Sequence, residues 1–210
     1  MPKMHHPLFA LCCLTLSLLG HAAETPAAPA EQVARGLLMQ HDGKMIFAPC
    51  RERTYVQVED VSSGGQVGEA LLKLGLAENK PLYVEFIGQA DADKLKAAWI
   101  NFAHTEARCQ ATANLEEQWR AVGQDPHWSL RVGQNKLKLE EAGKANVEQN
   151  DIEVRTEDGQ VRIAVGNDRV AEWHIRRQWC HGRDTDTLFG WRADLQGPSG
   201  QLHGCAWQAY

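Results

Sequence analysis

The sequence predicts a mainly β fold, all-β or α+β, built as two small antiparallel β-barrel or sandwich domains with one short helix in the first. Three observations lead there. Short apolar runs recur between turn signals along most of the 210 residues, the spacing of antiparallel sandwiches and barrels. Only one segment, Gln66 to Leu76, repeats its apolar residues with a clear helical period. Beyond the N-terminal region, four cysteines fall two on each side of a composition break near residue 112, so each half can carry its own crosslink.

Met1 to Pro7 holds one Lys, Leu8 to Leu19 is almost wholly apolar, and Gly20-His21-Ala22-Ala23 supplies small residues. This is the layout of a cleaved secretory signal, residues 1–23. Its apolar core is shorter than the ~20 residues of a membrane span, and no transmembrane segment is expected in the mature chain. Cys12 and Cys13 leave with the signal. Leu11 and Cys12 stand where a lipoprotein signal wants a small residue, which argues against acylation. Residues 24–33 open on a Pro- and Ala-rich stretch and are expected to form a flexible leader.

The first domain is expected over 34–112. Ala34 to Gln40 and Lys44 to Ala48 form a strand pair over His41-Asp42-Gly43, because Asp-Gly tolerates positive φ. Thr54 to Val58 alternates Tyr55 and Gln57 against Val56 and Val58, as a half-buried strand does. The helix follows, with Val67, Ala70, Leu71 and Leu74 on one face and Gly75 near its end. Leu82 to Ile87, introduced by Pro81, and Trp99 to Ala103 return to strand character before Cys109.

The second domain is expected over 113–210. Asn114 to Arg120 can open a short helix, with Asn114 capping and Leu115 and Trp119 on one face. Trp128 to Val132 and Lys136 to Leu139 are strands joined by Gly133-Gln134-Asn135, and Ile152 to Arg155 and Val161 to Val165 flank Glu157-Asp158-Gly159. Gly166-Asn167-Asp168 leads into a strand with Trp173, Ile175 and Trp179 on one face and Glu172, His174, Arg176 and Gln178 on the other. That alternation marks a sheet with one wet face. Leu188 to Leu195 and Leu202 to Trp207 complete the run.

Lys plus Arg number 22 against 27 Asp plus Glu, a net charge of −5, so the basic excess of a nucleic-acid-binding protein is missing. Four cysteines in an exported chain allow three disulfide pairings. The composition break favours Cys50 with Cys109 and Cys180 with Cys205. The competing arrangement, a metal site from Cys180, His181, His203 and Cys205, needs reduced thiolates, which an oxidising compartment disfavours. His181 and His203 are the best-placed metal candidates among His41, His104, His127, His174, His181 and His203, since no H-x-H or H-x-x-x-H pair occurs among these six.

Catalytic signatures of the forms G-x-S-x-G, H-E-x-x-H and G-x-x-x-x-G-K-[ST] are absent. Asp125, His127 and Ser129 superficially suggest a triad, but neighbours on one strand face point in parallel, whereas acid, base and nucleophile must converge. Asp125-Pro126 reads as a turn and Trp128 as core. No enzyme activity and no cofactor are expected. His181 to Thr187 is polar and should leave the second crosslink as an exposed loop, with Arg183, Asp184 and Asp186 available to a partner.

Val122-Gly123-Gln124-Asp125-Pro126-His127-Trp128-Ser129-Leu130 resembles the G-N-E-P-F-W-S-L signature of a family of uncharacterised, membrane- or lipoprotein-like bacterial envelope proteins. Cys180 to Leu195 is similar to that family's C-x-D-x-M-S-x-x-x-Y-P-x-x-A-x-L segment, and Gly204-Cys205-Ala206 to its closing G-C-A. In the first half, Gly36-Leu37-Leu38, Phe47-Ala48-Pro49-Cys50 and Leu82-Tyr83-Val84-Glu85 are similar to the small N-terminal barrel of NlpE-type envelope lipoproteins. Gly182, Asp184, Thr185, Phe189 and Gly190 replace the family's Asp, Met, Ser, Tyr and Pro, so no role of that segment carries over. The C-x-x-C pair of NlpE-type proteins is also absent.

The resemblance implies a periplasmic location. The expectation is therefore a non-catalytic envelope protein that binds another envelope protein or a small ligand. A periplasmic copper- or zinc-binding protein is the alternative. A lysozyme-inhibitor-like protein, acidic and meeting a basic enzyme by electrostatic steering, is the second.

Overall fold

The computed structural model describes residues 31–91, 93–109, 116–165, 171–184 and 186–209. The expected signal peptide, most of the expected leader, the boundary at 112, Asn114 and Leu115, Gly166-Asn167-Asp168 and Thr185 lie outside them.

Five strands of the first half close into a barrel. β1 (Gln32–His41) and β2 (Lys44–Pro49) form the expected hairpin, with Asp42 and Gly43 both at positive φ, 50° and 73°. β1 starts inside the expected leader because Gln32 and Val33 pair with Gly88 and Ile87; the leader's end at residue 33 is corrected accordingly. β3 (Val56–Asp60) pairs with β2, β4 (Leu82–Asp91) with the free side of β1, and β5 (Lys94–His104) with β4. Closure comes from β3 running parallel to β5, with Val58 opposite Leu95.

The helix α1 (Gln66–Leu74) lies between β3 and β4 in the chain and buries the four residues its period singled out: Val67, Ala70, Leu71 and Leu74. It stops at Gly75, φ 118°, where glycine adopts a left-handed conformation without a Cβ penalty. At its other end the amides of Val67 and Gly68 donate to Ser62 Oγ (3.0 Å) and Asp60 Oδ2 (2.8 Å), satisfying groups that a helix start leaves unpaired. The strand order β1-β2-β3-β5-β4, with one helix between the third and fourth strands, is the connectivity of an OB-type Greek-key barrel.

The second half is a meander of β6 (Glu117–Gln124), β7 (His127–Gly133), β8 (Lys136–Glu141), β9 (Val147–Asn150), β10 (Ile152–Glu157), β11 (Gln160–Val165), β12 (Ala171–His181), β13 (Thr187–Gly197) and β14 (Gly200–Gln208). The helix expected at Asn114 to Arg120 is corrected: its described part from Glu117 is strand. Paired between β7 and β14, that segment buries Trp119 and Ala121 on alternate positions, and tertiary pairing overrides a weak local helix preference. β7 extends to Gly133, so its turn to β8 contains only Gln134 and Asn135.

β9 and β10 are two pieces of one bent stave. Asp151, φ 59°, separates them, with β9 paired to β8 and β10 to β11. Pairing then continues through β12, β13 and β14 and returns to β6, Cys205 opposite Val122. This makes an up-and-down barrel of eight staves, a size whose interior side chains can fill. Trp119, Trp128, Leu130, Ile163, Trp173 and Trp191 belong to its buried core.

The halves share one hydrogen-bonded sheet, because Thr187, Leu188 and Phe189 of β13 pair with His104, Ala103 and Phe102 of β5. Leu188 joins the core of the first barrel and Ile87 that of the second. Trp179, expected beside Trp173 and Ile175, departs from them. The register of β12 shifts between Arg177 and Cys180, and Trp179 packs toward the first core instead, stacked on Trp99 with ring centroids 4.7 Å apart.

Both favoured disulfides are present: Cys50 to Cys109 with Cα atoms 5.7 Å apart, and Cys180 to Cys205 with Cα atoms 5.4 Å apart. The first ties the end of β2 to the segment after β5, and the second joins β12 to β14. Closing loops of 59 and 25 residues restricts the unfolded chain by about 4 and about 3.5 kcal/mol in the chain-entropy treatment.

Candidate functional site

A concavity of about 680 Å³ opens at the end of the first barrel where β3 and β5 begin. α1 follows β3 and therefore lies toward the opposite end. Ala34, Phe47, Val56, Ala90 and Leu95 line the opening. Four of them pack as or against the barrel's core, and Ala90 stands opposite Leu95 across β4 and β5. The volume lies within the usual ~300–1,000 Å³ of small-ligand sites, which are mostly apolar with a few polar groups.

Pro49, the Cys50–Cys109 bridge, Arg51 and Glu52 border the opening on one side and Lys94 on another. Glu52 accepts a hydrogen bond from Thr54 Oγ1 (3.1 Å), and Lys94 faces Glu59 at 3.7 Å. Gly36 keeps the wall thin. A Cβ there would stand 2.6 Å from the Phe47 ring and 2.3 Å from the Ala48 carbonyl oxygen, so only glycine lets Phe47 lie against β1.

Arg35, also at the opening, leads from it to a buried polar cluster. Its Nε stands 3.4 Å from Glu85 Oε1, while its Nη2 is buried without a hydrogen-bond partner among the described residues. Glu85 also accepts from Tyr83 Oη (2.8 Å) and from Asn101 Nδ2 (2.8 Å). Asn101 in turn holds the last strand, donating to the Gln208 carbonyl (2.9 Å) and accepting from the Gln208 amide (2.8 Å). Burial, with the Glu85 charge and hydrogen bond behind it, pushes the Tyr83 phenol well above its ordinary value.

The expected interaction loop is exposed. Arg183 and Asp184 occupy a turn closed by the Gly182 amide donating to the Thr187 carbonyl (3.0 Å), and the Asp186 carbonyl accepts from the Thr105 amide (3.0 Å). It therefore sits where β12 and β13 leave the second barrel to meet β5. No ion pair is made by Arg183, Asp184 or Asp186 among the described residues.

The thiols of Cys180 and Cys205 are consumed in their bridge, which closes the thiolate alternative. His181 is exposed at the end of β12, and His203 Nδ1 faces Asp194 Oδ1 at 2.7 Å on the outer face of the second barrel. Asp194 also pairs with Arg176. Burial pushes the Asp194 carboxyl up, but His203 and Arg176 outweigh it and leave the group below the usual aspartate value. A different trio comes together on the β1–β2 turn: ligand atoms of His41, Asp42 and Glu78 lie within 4.8 Å of one another, all exposed. Glu78 is far from the other two in sequence, so spacing gives no hint of it.

Asp125, His127 and Ser129 do not converge on a reactive centre. Asp125-Pro126 is a cis turn between β6 and β7, and Ser129 Oγ donates to Glu140 at 3.3 Å. The quoted signature residues instead form a packing joint. Trp128, fully buried, lies over Gly123 and Gly204: a Cβ on Gly123 would come within 2.0 Å of its Nε1, and one on Gly204 within 2.6 Å of its ring. Gly190 serves the junction likewise, since a Cβ there would stand 2.2 Å from the Ile100 carbonyl oxygen.

No helix among the described residues is long and apolar enough to cross a membrane. Comparison with family models, with curated proteins and with solved structures finds no match to this chain.

Proposed function

We propose that the chain is a non-catalytic, exported envelope protein, periplasmic after cleavage of its N-terminal signal, that works as a binding module through the mouth of its first barrel. The observation that carries this reading is the apolar opening of about 680 Å³ bordered by the Cys50–Cys109 bridge. Rigid strands set the lining, and the bridge fixes the border loop, which is how a site is kept open without a ligand. Two disulfides support an oxidising compartment, and the resemblance to envelope proteins supports the same place.

Amide chemical shifts of the oxidised protein, followed while a library of small apolar and amphiphilic compounds is added, test the site. Shifts confined to residues around Ala34, Val56, Ala90 and Leu95 are expected. A folded protein in which no compound moves those resonances overturns the reading. Osmotic-shock release of a chain shortened at its N-terminus tests the location, and retention at full length in the cytoplasm refutes it.

The grouping of His41, Asp42 and Glu78 favours the copper or zinc alternative at a different place from His181 and His203. Calorimetric titration of tag-free protein with Zn(II) and Cu(II) decides it. Saturable binding lost in His41→Ala supports a metal site there, and unsaturable heat removes it.

A further inference from the structure

We propose that the Cys50–Cys109 bridge is a thiol–disulfide exchange site, opened by a dithiol through attack on Cys109, and that its state sets the affinity of the barrel mouth; the second half rests on the reading of the mouth as the binding site. The two bridges differ in access. Of their four cysteines Cys109 alone is exposed, Cys50 and Cys180 are half-buried, and Cys205 is buried. A thiolate must reach the sulfur it attacks, so an exposed bridge exchanges where a covered one resists. Cys180 and Cys205 also lie within paired strands, opposite Phe189 and Arg192. Cys109 lies beyond the end of β5 and makes no hydrogen bond among the described residues.

Cys50 and Cys109 both line the mouth, and their two segments are held differently. Cys50 follows β2 directly, and its amide donates to the Arg35 carbonyl (3.0 Å). After Thr105, the segment leading to Cys109 makes only local turns among the described residues: the Glu106 amide donates to His104 Nδ1 (2.8 Å) and the Arg108 amide to the Glu106 carbonyl (2.8 Å). With the bridge open, Cys50 stays on the barrel and Cys109 is released from the border. The barrel keeps its closure, because β3 on β5 and its other pairings are backbone hydrogen bonds. In the exchange a reductant thiolate bonds to Cys109 Sγ, the electron pair of the S–S bond leaves on Cys50 Sγ, and that thiolate takes a proton from water. The reductant's second thiolate then attacks its own bonded sulfur, closing the reductant's disulfide and releasing Cys109, which is protonated in turn. The protein gains two electrons and two protons, and the dithiol loses them.

Native protein treated with dithiothreitol for increasing times, quenched with iodoacetamide and mapped by peptide mass spectrometry, tests the exchange site. Cys50 and Cys109 should become alkylated about tenfold faster than Cys180 and Cys205, or more, while the near-ultraviolet dichroism of the packed tryptophans is retained. A brief pulse of glutathione, quenched at once, should leave its mixed disulfide on Cys109. Equal rates for the two bridges, opening only as the dichroism is lost, or an adduct chiefly on Cys50 overturns the assignment.

Amide shifts of the selectively reduced protein read the mouth without any ligand. Movement at Ala34, Val56, Ala90 and Leu95 is expected, and unmoved resonances overturn the link between bridge and mouth. A library compound seated in the oxidised mouth should bind about tenfold more weakly after reduction, because the released border must be ordered again on binding; equal affinity overturns the coupling. The double substitution Cys50→Ser/Cys109→Ser repeats both measurements with the second bridge intact, and the reduced wild type decides them if that variant fails to fold. Silence of the whole library overturns the binding reading itself, while the exchange rates still decide the reactivity of the bridge.

Discussion

Removing the Asn101 side chain should loosen the joint between the barrels. In Asn101→Ala the Gln208 amide and carbonyl each lose their side-chain partner, and Glu85 loses one of its donors. A backbone group left unpaired costs about 1–3 kcal/mol when buried, toward the low end at the half-buried Gln208, and a hydrogen bond to a charged group contributes about 1.5–3 kcal/mol. Because the groups form one network, their costs overlap, and the expected loss is about 3–5 kcal/mol. For a chain of this size that lowers the melting temperature by about 6–20 °C. Calorimetry measures the shift, and hydrogen exchange at the Gln208 amide locates it. Asn101→Asp keeps the acceptor but sets a second carboxylate beside Glu85, and should be no milder at neutral pH. A loss below about 1 kcal/mol, with Gln208 exchange unchanged, would refute the claim that this side chain ties β14 to the first barrel.

The Tyr83 phenol, raised by burial and by Glu85, contributes stability that is full below about pH 10 and is lost as pH rises above it; urea unfolding across pH 8–11 should show that fall in the wild type and less of it in Tyr83→Phe. Asp194 is held below the usual aspartate value against burial by His203 and Arg176, so its contribution is complete above about pH 4 and disappears as pH falls further. Asp194→Asn should flatten that acid limb in unfolding curves, and an unchanged slope would count against the pairing. Gly204→Ala places a Cβ 2.1 Å from the Val122 carbonyl oxygen and should cost about 1–3 kcal/mol or more. At Gly182, where the nearest atom is 3.4 Å away, the same substitution should change the melting temperature little, and equal effects at both sites would refute the packing argument.

Local chemistry made much of this legible. The period of Val67, Ala70, Leu71 and Leu74 needs only one apolar face to define a helix. Asp42-Gly43 and Asp158-Gly159 take the paired positive φ values their composition suits. Both disulfides followed from where the cysteines fall about a composition break. The failures share a cause. The segment from Glu117 is strand because β7 and β14 pair with it, and Trp179 leaves the face of Trp173 because the β12 register shifts on the way to the junction. Neither partner is visible from within the segment concerned.

The candidate site was the least legible part. Ala34, Phe47 and Val56 read as ordinary strand residues, and Ala90 and Leu95 fall outside the strands expected at Leu82 to Ile87 and Trp99 to Ala103, which the structure extends to Asp91 and back to Lys94. Arg183, Asp184 and Asp186 stood out only because loops are polar. The sequence by itself determined the β character, the helix, the hairpin turns and the crosslinks, since each depends on residues near one another or on a chemistry few residue types possess. Tertiary structure alone decided the parallel closure of β3 on β5, the pairing of β5 with β13 and the apolar mouth. Those depend on which backbones meet across long stretches of chain, and backbone hydrogen-bonding groups are the same at nearly every residue.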